Sequence, residues 1–194
     1  MRPIRDRLDD ILPKITHPAF RKSTGLGNEV GYYVFDYDPE NEMLVRDHIA
    51  YLKERVNGDD TNELSIVECD LYEIILDVLN KKGYLEKNFA MEAKRGSAYV
   101  LKATTKTLRL TQPHDQVIEY IKESVKPGDI VFITGVGKAF PFIRSHTVLN
   151  NMYRAADGVP VVLFFPGKYD GQELSLFGEI KDDNYYRAFP LVDD

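Results

Sequence analysis

The chain has 194 residues, 43% of them hydrophobic and 29% charged, with a net charge of -6; these are ordinary values for a domain long enough to bury a core without disulfides or metals. Its one cysteine, Cys69, excludes an internal disulfide, and no paired Cys or Cys/His spacing offers a zinc site, so a buried thiol in a reducing cytosol is expected. The acidic balance argues against general nucleic-acid affinity, and a charged N-terminus (MRPIRDRLDDILPK) with apolar runs only of strand length argues against a signal peptide or membrane span.

In chain order, GYYVFDY (31–37) is a strand, followed by Asp38 and Pro39, an N-cap with proline at the first helical position. Val45, Ile49, Leu52 and Val56 recur at helical spacing. LSIVEC (64–69) is the next strand, and Asp70 with Glu73 three residues on is a capping box for a helix whose stripe is Leu71, Ile74, Ile75, Val78 and Leu79. Gly83 and Gly96 interrupt the middle, so residues 84–110 form a helical insertion, and Val117, Ile118, Ile121 and Val125 mark another helix after Pro113. IVFIT (130–134) and VVLFF (161–165) are further strands. Between them Gly135 and Gly137 make a tight strand-to-helix connection, with Ser145 or a neighbour capping a helix that carries Val148, Leu149 and Met152. PGKYDGQ (166–172) marks turns before LSLF and YYRAF, which add edge strands. The alternation predicts one α/β domain spanning 1–194, a mainly parallel sheet flanked by helices.

Charge is unevenly placed. Residues 81–110 hold eight bases against two acids, +6, which leaves -12 for the rest. On a helix from about Ser97, the spacing of Arg95, Lys102, Lys106 and Arg109 aligns most of them, while Ala98, Leu101, Thr105 and Leu108 face another way. Two readings compete for this stripe: a solvated helix face, or a docking surface for an acidic partner or a phosphate backbone.

Several motifs invite an enzymatic reading. Gly-Val-Gly-Lys (135–138) follows a strand, as phosphate loops do. Such a loop needs four residues between its first glycine and the Gly-Lys-Ser/Thr, whereas here one residue separates the glycines and Ala139 replaces the magnesium-binding hydroxyl. A second glycine cluster, Gly25, Gly27 and Gly31, precedes a strand and has no following lysine. Asp36 and Asp38 at the end of the first strand, with Asp182 and Asp183 near the C-terminus, fit the carboxylate pairs of metal-assisted phosphohydrolases, but Pro39 stands where that family has Thr or Val. His17, His48, His114 and His146 lack metal-ligand spacing and read as surface or capping residues, and no serine elbow exists. Lys138, Arg144 and His146 lie beyond a strand's carboxyl end, where α/β folds place ligands, and join the basic stripe as candidate partner-binding residues.

Three long strings, GNEVGYYVFDYDPENEMLVR, DIVFITGVGKAFPFIRSHTVLNN and VVLFFPGKYDGQELSLFG through NYYRAF, together with IVECDLYEII, resemble the BrxB family of BREX bacteriophage-exclusion systems over nearly the whole chain. The resemblance implies a small cytoplasmic protein encoded beside a large ATPase, a DNA methyltransferase and a phosphatase-like protein, PglZ. It implies a non-enzymatic component, without cofactor or metal, that joins partners, PglZ first among them and the ATPase or methyltransferase next. Direct DNA binding is not expected.

Overall fold

The structure, a computed structural model, describes residues 2–21, 31–59, 64–144, 147, 151, 158–182 and 188–193. Its main strands are β1 (Tyr32–Tyr37), β2 (Ser65–Asp70), β3 (Asp129–Thr134), β4 (Val161–Tyr169) and, after two short strands, β7 (Phe189–Pro190). They pair in parallel in the order β2-β3-β4-β1-β7. The expected mainly parallel sheet flanked by helices is thus the fold. β4 runs past its parallel partners and pairs antiparallel with β5 (Leu174–Leu176), which pairs with β6 (Ile180–Asp182). Of the two turns expected in PGKYDGQ, the Asp-Gly one is present, with the Asp170 side chain accepting from the backbone of Gln172 and Glu173, whereas the Pro-Gly one is corrected: the strand continues through Gly167 to pair with β5.

Side-chain alternation sorts the sheet into two cores, because successive strand residues point to opposite faces. On β4, Val161, Leu163 and Phe165 enter one core and Val162 and Phe164 the other. The first core is covered by α5 (Leu71–Lys81), α8 (Gln116–Ser124) and α9 (Val136–Ala139); the second by α1 (Ile4–Asp9), α2 (Ile11–Thr16), α3 (Pro18–Arg21) and α4 (Glu42–Asn57). The four stripe residues of α4, Val45, Ile49, Leu52 and Val56, are all buried, as their spacing requires. The charged N-terminus nevertheless sends Leu8, Ile11 and Ile15 into the second core. Each such burial stabilises by roughly 1.5–3 kcal/mol, enough to hold two short helices that would not persist alone.

Asp70 caps α5 by accepting from the Tyr72 and Glu73 amides at 3.0 and 3.2 Å, and Asp38 caps a 3-10 turn, Pro39–Asn41, by accepting from Glu40 N at 3.1 Å. The insertion is a helical hairpin, α6 (Leu85–Arg95) and α7 (Ser97–Leu108), whose inner face meets α5 and α8. On α7 the inward residues are Thr104 and Leu108, not Thr105: the buried Thr104 hydroxyl accepts from Asn88 Nδ2 at 3.1 Å, joining the two helices through a satisfied polar pair. The helix expected to carry Val148, Leu149 and Met152, its cap at Ser145, and residues 185–187 of YYRAF lie outside the described residues, while Phe189 supplies the edge strand β7.

Candidate functional site

Gly-Val-Gly-Lys closes on the protein itself. Gly135 leaves β3 with φ 70°, and a Cβ there would collide with the Asp70 carboxylate. At Gly137 a Cβ would lie 3.1 Å from the Phe177 ring and 3.3 Å from Pro166. Lys138 Nζ donates to Asp70 Oδ2 at 2.6 Å, lies 3.9 Å from Glu73 Oε1 and sits 5.8 Å from the Tyr72 ring centre. One glycine therefore makes room for the α5 cap and the other for the β5–β6 turn, and the lysine binds the same cap. Lys138 is thus paired with the Asp70 carboxylate within the fold.

The strand ends also open into a polar crevice of about 190 Å³, lined by Tyr37, Glu42, Arg46, Glu68 and Thr134 among others. Its acids are engaged. Glu68 accepts from Lys53 Nζ and from the Thr134 hydroxyl, both at 2.8 Å, and Glu42 accepts from the Tyr37 hydroxyl at 2.7 Å. Burial first, and then the Glu42 carboxylate, push the Tyr37 hydroxyl far above its ordinary pKa, so it stays a donor. Asp36 accepts from Arg7 Nη2 at 2.8 Å and Tyr169 N at 3.1 Å, while Arg7 Nη1 donates to the Asp36 carbonyl at 2.9 Å. Arg7 is only 2% exposed and lies 5.0 Å from the Phe35 ring centre, so this pair pins α1 to the end of β1. Asp36 and Asp38, paired in the phosphohydrolase reading, have separate structural partners. Asp182 lies on β6, and Asp183 is outside the described residues. Among the described residues, no group of three or more His, Cys, Asp or Glu is placed to hold a metal ion.

Cys69 is buried as expected, and burial, helped by the Glu68 charge, pushes its thiol up to about 12, far from a working nucleophile. His17 Nδ1 accepts from Ala19 N at 3.1 Å and His114 meets Glu119 at 2.9 Å, capping and surface roles respectively. His48 departs from the surface expectation: it is half-buried on α4, bonded to the Leu8 backbone, with Nε2 buried and unpartnered among the described residues. Burial lowers its pKa below 6.5, against the opposing pull of Asp9 and the Leu8 bond.

The basic stripe is divided by the fold. Arg95 ends α6, and Gly96 with φ 79° turns the chain before α7, so Arg95 shares no helix with Lys102 and Lys106; its guanidinium sits 4.6 Å from the Tyr99 ring centre. Arg109 ends α7 in the left-handed region at φ 52°. Lys102 and Lys106 remain one turn apart, both exposed, with no partner among the described residues. Phe89, on α6, is 56% exposed. Arg144 is exposed at the rim of a small apolar pocket with Phe140, Leu174 and Ile180, and His146 lies outside the described residues. Sequence reasoning missed Arg7, the Lys53-Glu68-Thr134 group and Phe89. None had a local signal: Arg7 and the Lys53-Glu68-Thr134 group meet their partners only through the fold, and Phe89, four residues after Leu85, stands at an inward spacing.

The family model described as BREX protein BrxB matches residues 67–191. A protein named BREX protein BrxB from Bacillus cereus (strain H3081.97) is 62% identical over 193 residues, covering 100% of both chains. Another of that name from Escherichia coli O9:H4 (strain HS) is 32% identical over 188 residues, covering 97% of this chain and 91% of its own. No solved structure matches. Among the described residues no helix is long and apolar enough to cross a membrane. The chain belongs to the BrxB family of BREX proteins, the phage-defence family that its long sequence strings resemble.

Proposed function

We propose that this chain is a non-enzymatic adaptor of a BREX phage-defence system, working in the cytoplasm without cofactor or metal and joining partner proteins. The PglZ-like protein is the first candidate partner, and the ATPase or methyltransferase the next. The observation that carries the reading is the α6–α7 hairpin: it displays Arg95, Lys102, Lys106 and Arg109 to solvent within the segment 81–110, whose charge is +6 against -12 for the rest of the chain. Such a surface suits an acidic protein face, and the surrounding negative charge disfavours a DNA duplex beyond the hairpin. Arg144 and His146 are kept as a second contact, whereas the bond to Asp70 favours a structural role for Lys138.

Engagement of Asp36, Asp38 and Asp70 within the fold supports this reading over a metal-dependent phosphohydrolase or a nucleotide-binding protein. The test is recovery of BREX proteins on the tagged chain from cells expressing the whole system. The adaptor account expects the PglZ-like protein with the wild type and less of it with Lys102→Glu plus Lys106→Glu. Magnesium-dependent phosphatase or nucleotide hydrolysis by the purified chain, or failure of the wild type to retain any BREX protein, would overturn it.

A further inference from the structure

Arg46, exposed on α4, lines the strand-end crevice of about 190 Å³ and also an adjoining one of about 320 Å³, which shares Glu68 and Asp70 with the first and adds Glu73, Ile74, Tyr120 and Lys138. Together they form a cleft on the scale of a small-molecule site. Its place is the one where open α/β sheets bind ligands: β1 leads into α4 on one face and β3 into α9 on the other, so the chain parts at their carboxyl ends.

Most charges of the cleft are already paired. Lys53 holds Glu68 at 2.8 Å, and Lys138 holds Asp70 at 2.6 Å. Two groups on the α4 wall have no opposite charge of their own among the described residues: Arg46 makes no ion pair or hydrogen bond there, and Glu42 accepts from the neutral Tyr37 hydroxyl. They stand four residues apart, neighbours on the helix surface, yet they do not pair with each other. In the adjoining lobe Glu73 lies 3.9 Å from a lysine that Asp70 already holds, which adds further negative charge. An anion would bind Arg46 but be repelled by Glu42, and a cation would bind Glu42 but be repelled by Arg46. A molecule that carries both charges satisfies both.

We infer that this cleft binds a small zwitterion of the amino-acid class, its carboxylate on the Arg46 guanidinium and its ammonium on Glu42. The planar guanidinium offers paired donors to a carboxylate, and the Glu42 carboxylate keeps acceptor capacity beyond the Tyr37 bond. Ile49, Ile74 and Phe164 supply apolar wall for the remainder of the ligand. The inference does not depend on the adaptor reading.

The test titrates the purified full chain with the common amino acids, one at a time, by calorimetry. At least one is expected to bind with a Kd of about 1 mM or tighter. Its analogue without the amine and its analogue without the carboxylate are each expected to bind at least about tenfold more weakly, as is the amino acid itself on Arg46→Gln or Glu42→Gln. Glu42→Gln keeps an acceptor for the Tyr37 hydroxyl, and Arg46→Gln removes no bond to a described residue, so unchanged melts without ligand check that both variants fold. Failure of every amino acid to bind more tightly than about 10 mM would overturn the inference. Binding that survives Arg46→Gln would place the ligand elsewhere and overturn it too. So would the amine-free analogue or inorganic phosphate binding as tightly as the amino acid, since the cleft would then be an anion site. Recovery of BREX proteins is a separate readout, so the adaptor reading stands or falls on its own.

Discussion

The strand-end crevice and the α6–α7 hairpin both concentrate charge, and they use it in opposite ways. At the strand ends Asp36, Glu68 and Asp70, the last two lining the crevice, each hold a cation from another part of the chain: Arg7, Lys53 and Lys138. On the hairpin the cations rest over neighbouring rings or meet no described residue at all. Charges satisfied inside a fold hold elements together, whereas charges left in water steer partners. The crevice acids are thus committed to contacts within the fold, beside an exposed Arg46, whereas the basic side chains of the hairpin face solvent.

The largest expected effect that would break this contrast concerns Arg7. Its removal leaves a partly buried Asp36 carboxylate with the Tyr169 amide alone among the described residues, so Arg7→Ala should lower stability by about 3–5 kcal/mol in urea denaturation. A loss under about 1 kcal/mol would show that this strand-end ion pair does not fasten the fold.

Next comes Gly135→Ala, which meets both the left-handed φ and the Asp70 carboxylate and should cost roughly 2 kcal/mol or more. Part of that cost should disappear in an Asp70→Ala background, because the obstacle is then gone. Full additivity in the double-mutant cycle would mean that the two residues do not meet. Asp70→Ala alone should lose about 1 kcal/mol through its cap, and Asp70→Asn much less.

Stability should also fall on acidification through His48. Its folded pKa lies below the ordinary 6.5, so its neutral form is the one the fold favours; the contribution is complete above 6.5 and is lost as pH drops toward the lower folded value. Denaturation midpoints from about pH 7.5 to about pH 5.5 should decline more steeply in the wild type than in His48→Gln. Equal slopes would assign the acid sensitivity elsewhere.

The strands and main helices were legible because their periods are strong: α4 and α5 bury the stripes that their spacing marks, and Asp70 caps where a capping pattern stands. Composition concealed α1 and α2, since Leu8, Ile11 and Ile15 are helically spaced but embedded among charges that make the segment read as solvated. No local signal announces Arg7, whose partner lies 29 residues away and is brought to it by β1. The glycine motif could be rejected as a phosphate loop from its spacing, yet its purpose needed the fold, because Asp70 and Phe177 reach Gly135 and Gly137 only across the sheet. The stripe of four bases failed at Gly96, a break visible in the sequence that outweighs the spacing continued across it.

The most direct test of the contrast compares two variants in one experiment that reads both melting temperature and recovery of BREX proteins. Lys138→Ala is expected to cost up to about 1 kcal/mol of stability and keep its partners, since a half-exposed ion pair is lost from the fastening only. Lys102→Glu plus Lys106→Glu is expected to leave stability within about 0.5 kcal/mol of wild type and lose partner recovery. The opposite pairing, with Lys138→Ala releasing the partners from a fold of unchanged stability and the hairpin variant retaining them, would contradict the account.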